Sequence, residues 1–345
     1  MFAGARAFIA TAVAASTACM ALGGNAGSHA ESRLVLSGSA TSDAVAATHT
    51  PSNALDRMTK REPRLDGIVR RGGTGRGVTI YVFDGGISDD HVEFGTRVRI
   101  GFDAFPSKPR ICNDHGTAVA GAAAGATLGV APEAEIVDVK IINCERMRGS
   151  TDAIVAAAHW TIEDHARHPG QPAVANWSFV VDTSRSVPEI DTAVALLRDA
   201  GILVVVAAGN FDIDACRVSP ASAPGAFVVG ATSLTRAPNR GAWVDSRSDN
   251  TASGPCIDVY APGDSVLLPG IENGRSTVTA WSGTSMAAGY ASGAASLILE
   301  HTPRATPELV AETIVRTATA NVVDERINRA NSLRAPLLYA GPIRK

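Results

Sequence analysis

From Gly77 onward the chain alternates short apolar runs with segments that are alanine-rich or carry apolar residues at helical spacing. The runs span residues 78–83, 136–141, 173–177, 202–206 and 226–230. A strand that is apolar on both faces is covered on both faces, as in a parallel sheet held between helical layers. Residues 151–167 predict a helix that stops before Pro169-Gly170. Residues 188–200 predict another, with Ile190, Val194 and Leu197 at helical spacing and Gly201 as the stop. Thr306-Pro307 opens a last helix, with proline in the first turn where its missing N–H is not needed. No internal repeat interrupts the alternation. The order predicts an α/β fold, a three-layer αβα domain with a mostly parallel sheet and right-handed crossovers.

The N-terminus breaks this pattern. Arg6 is followed by an uncharged stretch over residues 7–30, which ends on the small-x-small sequence Ser28-His29-Ala30. Residues 1–30 therefore read as a secretory signal peptide. Thr, Ser and Gly interrupt the stretch, which argues against a retained membrane anchor. Cys19 follows Ser16-Thr17-Ala18, a poor lipid-attachment sequence. Residues 31–52 are rich in Ser, Ala and Thr and read as a spacer or vestigial pro-segment, and residues 53–345 as the folded domain. The expectation is export to the extracellular space, with no membrane association after signal removal.

Composition narrows the function classes. The chain has 345 residues, of which 45% are hydrophobic and 19% charged, enough for a sizeable core and unlike a disordered chain or a coiled coil. Its formal net charge of -3 provides no basic excess for a phosphate backbone, so no nucleic-acid partner is expected. Without residues 1–30, four cysteines remain: Cys112, Cys144, Cys216 and Cys256. An even number in an exported chain predicts two disulfides, in one of three pairings. None forms a CxxC pair, so no zinc site is expected. No extended apolar face lacks an intramolecular use, so a monomer is expected.

In such a sheet, ligands bind beyond the carboxyl ends of the strands. Polar residues follow strands there: Asp84 in Phe83-Asp84-Gly85-Gly86-Ile87, and Asn210 in Ala207-Ala208-Gly209-Asn210. Two more open small-residue helices: His115 in Asn113-Asp114-His115-Gly116-Thr117, and Ser285 in Gly283-Thr284-Ser285-Met286-Ala287. Singly, each has an ordinary structural use as a turn residue, a solvated loop histidine or a helix cap. Together, their order and flanking residues resemble those of the subtilisin-like serine peptidases, the subtilases. Gly129-Val130-Ala131-Pro132-Glu133-Ala134 and Tyr260-Ala261-Pro262-Gly263 are similar to further segments of that family. Leu55-Asp56-Arg57, Leu65-Asp66-Gly67, Gly75-Arg76-Gly77-Val78 and the end from Asn331-Ser332-Leu333 to Leu338-Tyr339 resemble its proteinase K and aqualysin branch. The resemblance runs from about residue 53 to 340.

The resemblance implies a subtilisin-like fold and a serine endopeptidase acting on protein or peptide substrates. Ser285 would be the nucleophile, His115 the general base and then acid, and Asp84 the group that fixes the imidazole. Asn210 and the Ser285 N–H would donate to the oxyanion. Gly149, Ser178, Phe179, Val180, Ala207, Ala208 and Gly209 would bind substrate. His91, in Asp90-His91-Val92-Glu93-Phe94, matches a structural loop of the family and is rejected as a rival base. The resemblance also pairs Cys112 with Cys144 and Cys216 with Cys256, closing separations of 32 and 40 residues. In the loop-entropy account each bridge constrains the unfolded chain by about 3–4 kcal/mol.

The sequence departs from the family at five points. Gly85 stands where Ser or Thr is usual, losing a hydroxyl near the Asp84 carboxylate worth about 1 kcal/mol. Ser178-Phe179-Val180-Val181 replaces Ser-Leu-Gly-Gly, and the two valines are expected to narrow the primary specificity pocket. Ala288-Gly289-Tyr290 replaces Thr-Pro-His, with Gly289 loosening the helix by up to ~1 kcal/mol. Ser233 stands where a calcium-ligating Asp is expected, which removes support for a structural calcium there. Asp212, Asp214 and Asp264 are the acidic loop residues left for another site. No cofactor is expected for catalysis. Only about 20 residues stand where the family carries an inhibitory folding propeptide. Two alternatives remain: a subtilase-like peptide-binding protein that is catalytically weak or inactive, and another serine hydrolase such as an esterase. The second lacks the G-x-S-x-G elbow at Ser285 and has the wrong triad order for its fold.

Overall fold

All five apolar runs form strands of one sheet. In the computed structural model, which describes residues 47–106, 109–236, 243–324 and 335–342, the strands are β1 (Thr48–His49), β2 (Ile68–Val69), β3 (Thr79–Asp84), β4 (Val98–Asp103), β5 (Glu135–Lys140), β6 (Ala173–Trp177), β7 (Leu203–Ala207), β8 (Phe227–Arg236), β9 (Trp243–Arg247), β10 (Val259–Pro262), β11 (Val266–Glu272), β12 (Arg275–Trp281) and β13 (Val323–Asp324). The helices are α1 (Asn53–Met58), α2 (His115–Ala124), α3 (Thr151–Ala166), α4 (Pro188–Asp199), α5 (Thr284–His301) and α6 (Pro307–Thr317). The central sheet runs β4-β5-β3-β6-β7-β8-β9-β13, and β10 also pairs with β8. The pairs from β4 to β8 are parallel, whereas β9 turns back antiparallel to β8.

Alternation along β3 shows the three layers. Ile80 and Val82 face one core, shared with α2, α5 and α6. Tyr81 and Phe83 face the other, shared with α3 and α4. Every residue of β3, β6 and β7 is buried. The elements without an apolar run lie at the margins: β4, β9 and β12 are partly exposed, and β11 pairs with β12 in a hairpin of their own. There, polar residues face water on one side and the pattern loses its contrast.

The folded domain begins earlier than residue 53, a correction to the spacer over residues 31–52. Thr48 and His49 pair with Val69 and Ile68. Thr50 N–H donates to the Gly67 carbonyl. Ser52 caps α1 by accepting from the Leu55 N–H. Backbone pairing needs no apolar signal, so composition could not show it. The signal peptide, residues 31–46 and Asn331-Ser332-Leu333 lie outside the described residues.

Two contacts fix how the layers meet. Helices α2 and α5 approach so closely that a Cβ on Gly289 would lie 2.7 Å from the Val119 carbonyl oxygen, and one on Gly293 2.5 Å from that of Ala123. Gly289 therefore serves helix packing rather than loosening its own helix. The second contact joins α1 to β9: Arg57 Nε donates to Asp245 Oδ2 at 2.8 Å, with both side chains almost fully buried. Removing one partner of such a pair strands the other charge in the core. Asp245→Ala is expected to lower unfolding stability by about 3–5 kcal/mol in denaturant titration, with the midpoint shifted and the slope unchanged.

Candidate active site

The four polar residues singled out by sequence converge at the carboxyl edge of the sheet. Asp84 is the last residue of β3, and His115 is the first residue of α2. Asp84 Oδ2 lies 2.7 Å from His115 Nδ1, and both side chains are largely buried. A carboxylate oxygen only accepts, so the Nδ1 proton lies on this bond and Nε2 is left as the acceptor of the neutral ring. Burial pulls the His115 pKa down, but the Asp84 charge and hydrogen bond outweigh it and hold it above the ordinary value. The other Asp84 oxygen accepts from the Gly85 N–H at 2.7 Å. That backbone donor occupies the carboxylate where a Ser or Thr hydroxyl was missed. A Cβ on Gly85 would stand 3.3 Å from Cys112 Cβ, so a larger residue would press on the disulfide.

The ladder between α2 and α5 carries the geometry to Ser285. Gly289 abuts Val119 and Gly293 abuts Ala123. Val119 and Ala123 lie four and eight residues after His115; Gly289 and Gly293 lie four and eight after Ser285. His115 and Ser285 thus lie at the N-terminal ends of the two helices that this ladder joins, each four residues before its first rung. Ser285, whose ordinary structural use would be a helix cap, does not hold that position: Gly283 does, with φ +147°, and Ser285 is the second helical residue. The region of φ at Gly283 suits glycine, and a Cβ there would stand 3.4 Å from Asn210 Nδ2.

Ser285 and Asn210 are each held by groups that sequence reasoning missed. Ser285 Oγ donates to the Ser178 carbonyl at 3.3 Å, and Ser178 Oγ lies 3.1 Å from the Ser285 carbonyl. Ser178 Oγ also donates to Asn176 Oδ1, whose amide donates to Ser292 Oγ at 3.0 Å. Asn210 Oδ1 accepts from the Thr284 N–H at 2.8 Å and from its hydroxyl at 3.0 Å. That fixes the amide orientation and turns Nδ2 outward as a donor. The Ser285 N–H belongs to the first turn of α5, where donors lack an intrahelical acceptor. Trp281, at the end of β12, stands edge-on to His115 with ring centroids 6.2 Å apart. Hairpin residues so far along the chain gave no sequence signal for this contact.

The substrate-binding candidates divide. Val180 is buried, and its Cγ2 lies 3.7 Å from where a Cβ on Gly209 would stand, beside Val218 and Phe211. Ala207 and Ala208 are buried at the end of β7. The Phe179 ring turns into the core against Trp177, centroids 5.3 Å apart, so its side chain does not face the site. Gly149 precedes the Ser150 cap of α3, and no described contact joins it to the others. His91 is buried, with Nε2 3.1 Å from the Thr277 carbonyl and Nδ1 accepting from the Glu93 N–H, which suits a structural role.

The acidic residues considered for calcium are taken by protein donors. Asp264 accepts from Ser233 and Ser282 hydroxyls, and Asp212 from the Arg247 guanidinium. Asp214 caps the Cys216 N–H. Among the described residues no three His, Cys, Asp or Glu side chains gather as metal ligands. Both disulfides, Cys112–Cys144 and Cys216–Cys256, join the pairs that the resemblance implied.

An Asp–His pair and a serine at a helix N-terminus, set at the carboxyl edge of a parallel sheet, define a serine hydrolase type of site. The Subtilase family profile, peptidase S8, matches residues 75–332, and the chain belongs to that family. It is 40% identical over 271 residues to an extracellular serine proteinase of Thermus sp. (strain Rt41A), covering 78% of this chain and 62% of that protein. It is 36% identical to alkaline serine exoprotease A of Vibrio alginolyticus, covering 79% of this chain and 48% of that protein. The chain thus spans roughly half to two thirds of the length of these relatives. The solved structure of a cold adapted subtilisin-like serine proteinase superposes with a TM-score of 0.72 at 31% identity, covering 85% of this chain and 99% of that one. Among the described residues no helix is long and apolar enough to cross a membrane.

The ladder of small residues makes one outcome specific. Gly289→Ala is expected to cost about 1–3 kcal/mol of stability, because the new methyl meets a backbone carbonyl. Any catalytic rate should fall further than the folded fraction does, since the same displacement separates His115 from Ser285. Thermal melts and turnover on one sample check both.

Proposed function

We propose that the protein is a secreted serine endopeptidase that hydrolyses protein or peptide substrates through an acyl-enzyme on Ser285. The observation that supports it most is the 2.7 Å bond from Asp84 to His115, with Ser285 one step along the same helix ladder. For attack, the Ser285 hydroxyl leaves the Ser178 carbonyl and turns to His115 Nε2. Ser285 Oγ bonds to the scissile carbon while its proton passes to Nε2. Asp84 stabilises the imidazolium without taking the proton. Asn210 Nδ2 and the Ser285 N–H donate to the oxyanion, and losing one such side-chain donor costs roughly 2.7–4 kcal/mol of transition-state stabilisation. The carbon–nitrogen bond then breaks as Nε2 returns the proton to the leaving amine. Water, deprotonated by the same nitrogen, releases the acid and restores Ser285.

Covalent labelling tests the assembly directly. A fluorophosphonate is expected to form a stoichiometric adduct at Ser285, absent in Ser285→Ala and in His115→Ala, by peptide mass mapping. Only the neutral imidazole acts as base, and Asp84 raises its pKa. The labelling rate should therefore rise with pH through a midpoint above about 6.5, the ordinary histidine value. No adduct on folded, disulfide-intact protein would favour a peptide-binding subtilase without catalysis.

The pocket beside Gly209 sets the expected preference. Val180 and Val218 carry branched side chains into the space that the family leaves to glycine at the first of these positions. Small or medium apolar residues should precede the scissile bond. A peptide-library profile led by Phe or Tyr would refute this.

A further inference from the structure

Asp138 is a carboxylate in the middle of a buried strand, opposite Val82 of β3 and Ile100 of β4. Only 2% of it is exposed. A charge so placed is costly unless it is paired and hydrogen-bonded. Its Oδ2 accepts from the Ile87 N–H at 3.1 Å and from Arg110 Nη1 at 2.8 Å. Arg110 Nη2 in turn donates to the Ile87 carbonyl at 2.8 Å and to Asp89 Oδ1 at 2.5 Å. The carboxylate and the guanidinium therefore grip both polar groups of one residue, Ile87. That residue lies three past Asp84, and Arg110 lies five before His115.

We infer that Asp138 and Arg110 are a positioning pair for the Asp84–His115 dyad, a buried charged strut that holds the loop leaving β3 against the loop entering α2. The inference rests on the catalytic reading of that dyad. Other contacts between these loops are uncharged: the Cys112 N–H donates to the Gly85 carbonyl, and the Ser88 N–H to Thr117 Oγ1. Gly86, at φ +103°, packs so tightly that a Cβ would lie 2.6 Å from the Arg110 carbonyl oxygen.

The charged groups around Asp138 are Arg110 from the loop, Asp84 at the end of β3, and Asp103 at the end of β4. Asp103 is bonded to Lys140 of β5 at 3.2 Å, and Asp89 shares Arg110. Burial pushes the Asp138 carboxyl up to about 7, the Ile87 N–H and Arg110 pull it down, and Asp84 and Asp103 push it up. On acidification, Asp138 loses its charge-assisted bond to Arg110, which weakens the strut, and protonation of His115 removes the base.

Asp138→Asn keeps an acceptor for Ile87 and removes the charge. The acid limb of kcat/KM should be steeper in the wild type than in the variant, by the roughly 3–10-fold that loss of the Asp138 charge costs. The His115 imidazole, followed by NMR, should titrate at lower pH in the variant, because a nearby negative charge no longer favours the cation. Well above neutrality, kcat should drop by roughly 3–10-fold with KM within about twofold, as expected when alignment rather than binding suffers. A variant that was merely less stable would lose activity at higher pH, not lower. If Asp138→Asn fails to fold, the double replacement Arg110→Met with Asp138→Leu removes the pair without stranding a charge. It should show the same shallower acid limb. Acid limbs and His115 titrations that overlay the wild type would overturn the strut. A wild type that takes no fluorophosphonate would overturn the peptidase reading instead, and the NMR titration would still decide the strut.

Discussion

The close approach of α2 and α5 is the constraint on which the site depends. Two helices usually pack 8–10 Å apart, and only backbones stripped of side chains come nearer. Here Gly289 and Gly293 press against the carbonyls of Val119 and Ala123, and Gly121 presses against Pro269 of the hairpin. The helices keep one register along this contact. His115 and Ser285 stand at the N-terminal ends of these helices, so both are carried on rigidly packed elements rather than on loops. This explains why the facing stretches of both helices are rich in Gly and Ala and are nonetheless buried.

Several of the polar groups at this buried edge form a connected network. Beneath Ser285, the hydroxyls of Ser178 and Ser292 and the amide of Asn176 bond to one another and to backbone carbonyls. Thr284 holds both Asn210, through its N–H and hydroxyl, and the Gly209 N–H, which donates to that hydroxyl. Away from the site the same economy recurs: Tyr81 Oη donates to Asp164, which is also paired with Arg99, and Glu300 takes the N–H groups of Thr74 and Gly75. Buried networks of this kind fix one arrangement because any slip leaves a donor or acceptor unpaired in low dielectric.

The central strands, the five helices expected around the sheet, and the residues Asp84, His115, Asn210 and Ser285 were legible in the chain. Strands buried on both faces cannot hide their apolar runs, and the short motifs around the four residues are local strings of small and polar groups. Resemblance supplied the cysteine pairing, which composition left open among three choices. Less was legible of β4, β9, β10 and the β11–β12 hairpin, because half-exposed or very short strands lack a periodic contrast. The direction of the Phe179 side chain was not legible, because alternation after a strand end does not say which face turns inward.

By itself the sequence determined the layer order and which residue types gather at the carboxyl edge, since both follow from periodicity and local motifs. Only the tertiary structure decided the particular partners. Asp138 reads as one polar residue in an apolar run until β3, β4 and the Arg110 loop enclose it. Trp281 meets His115 across more than 160 residues of chain. Gly289 reads as a weak helix former until a second helix arrives against it. Each depends on contacts between segments far apart in sequence, and long-range packing leaves no periodic trace in any one of them.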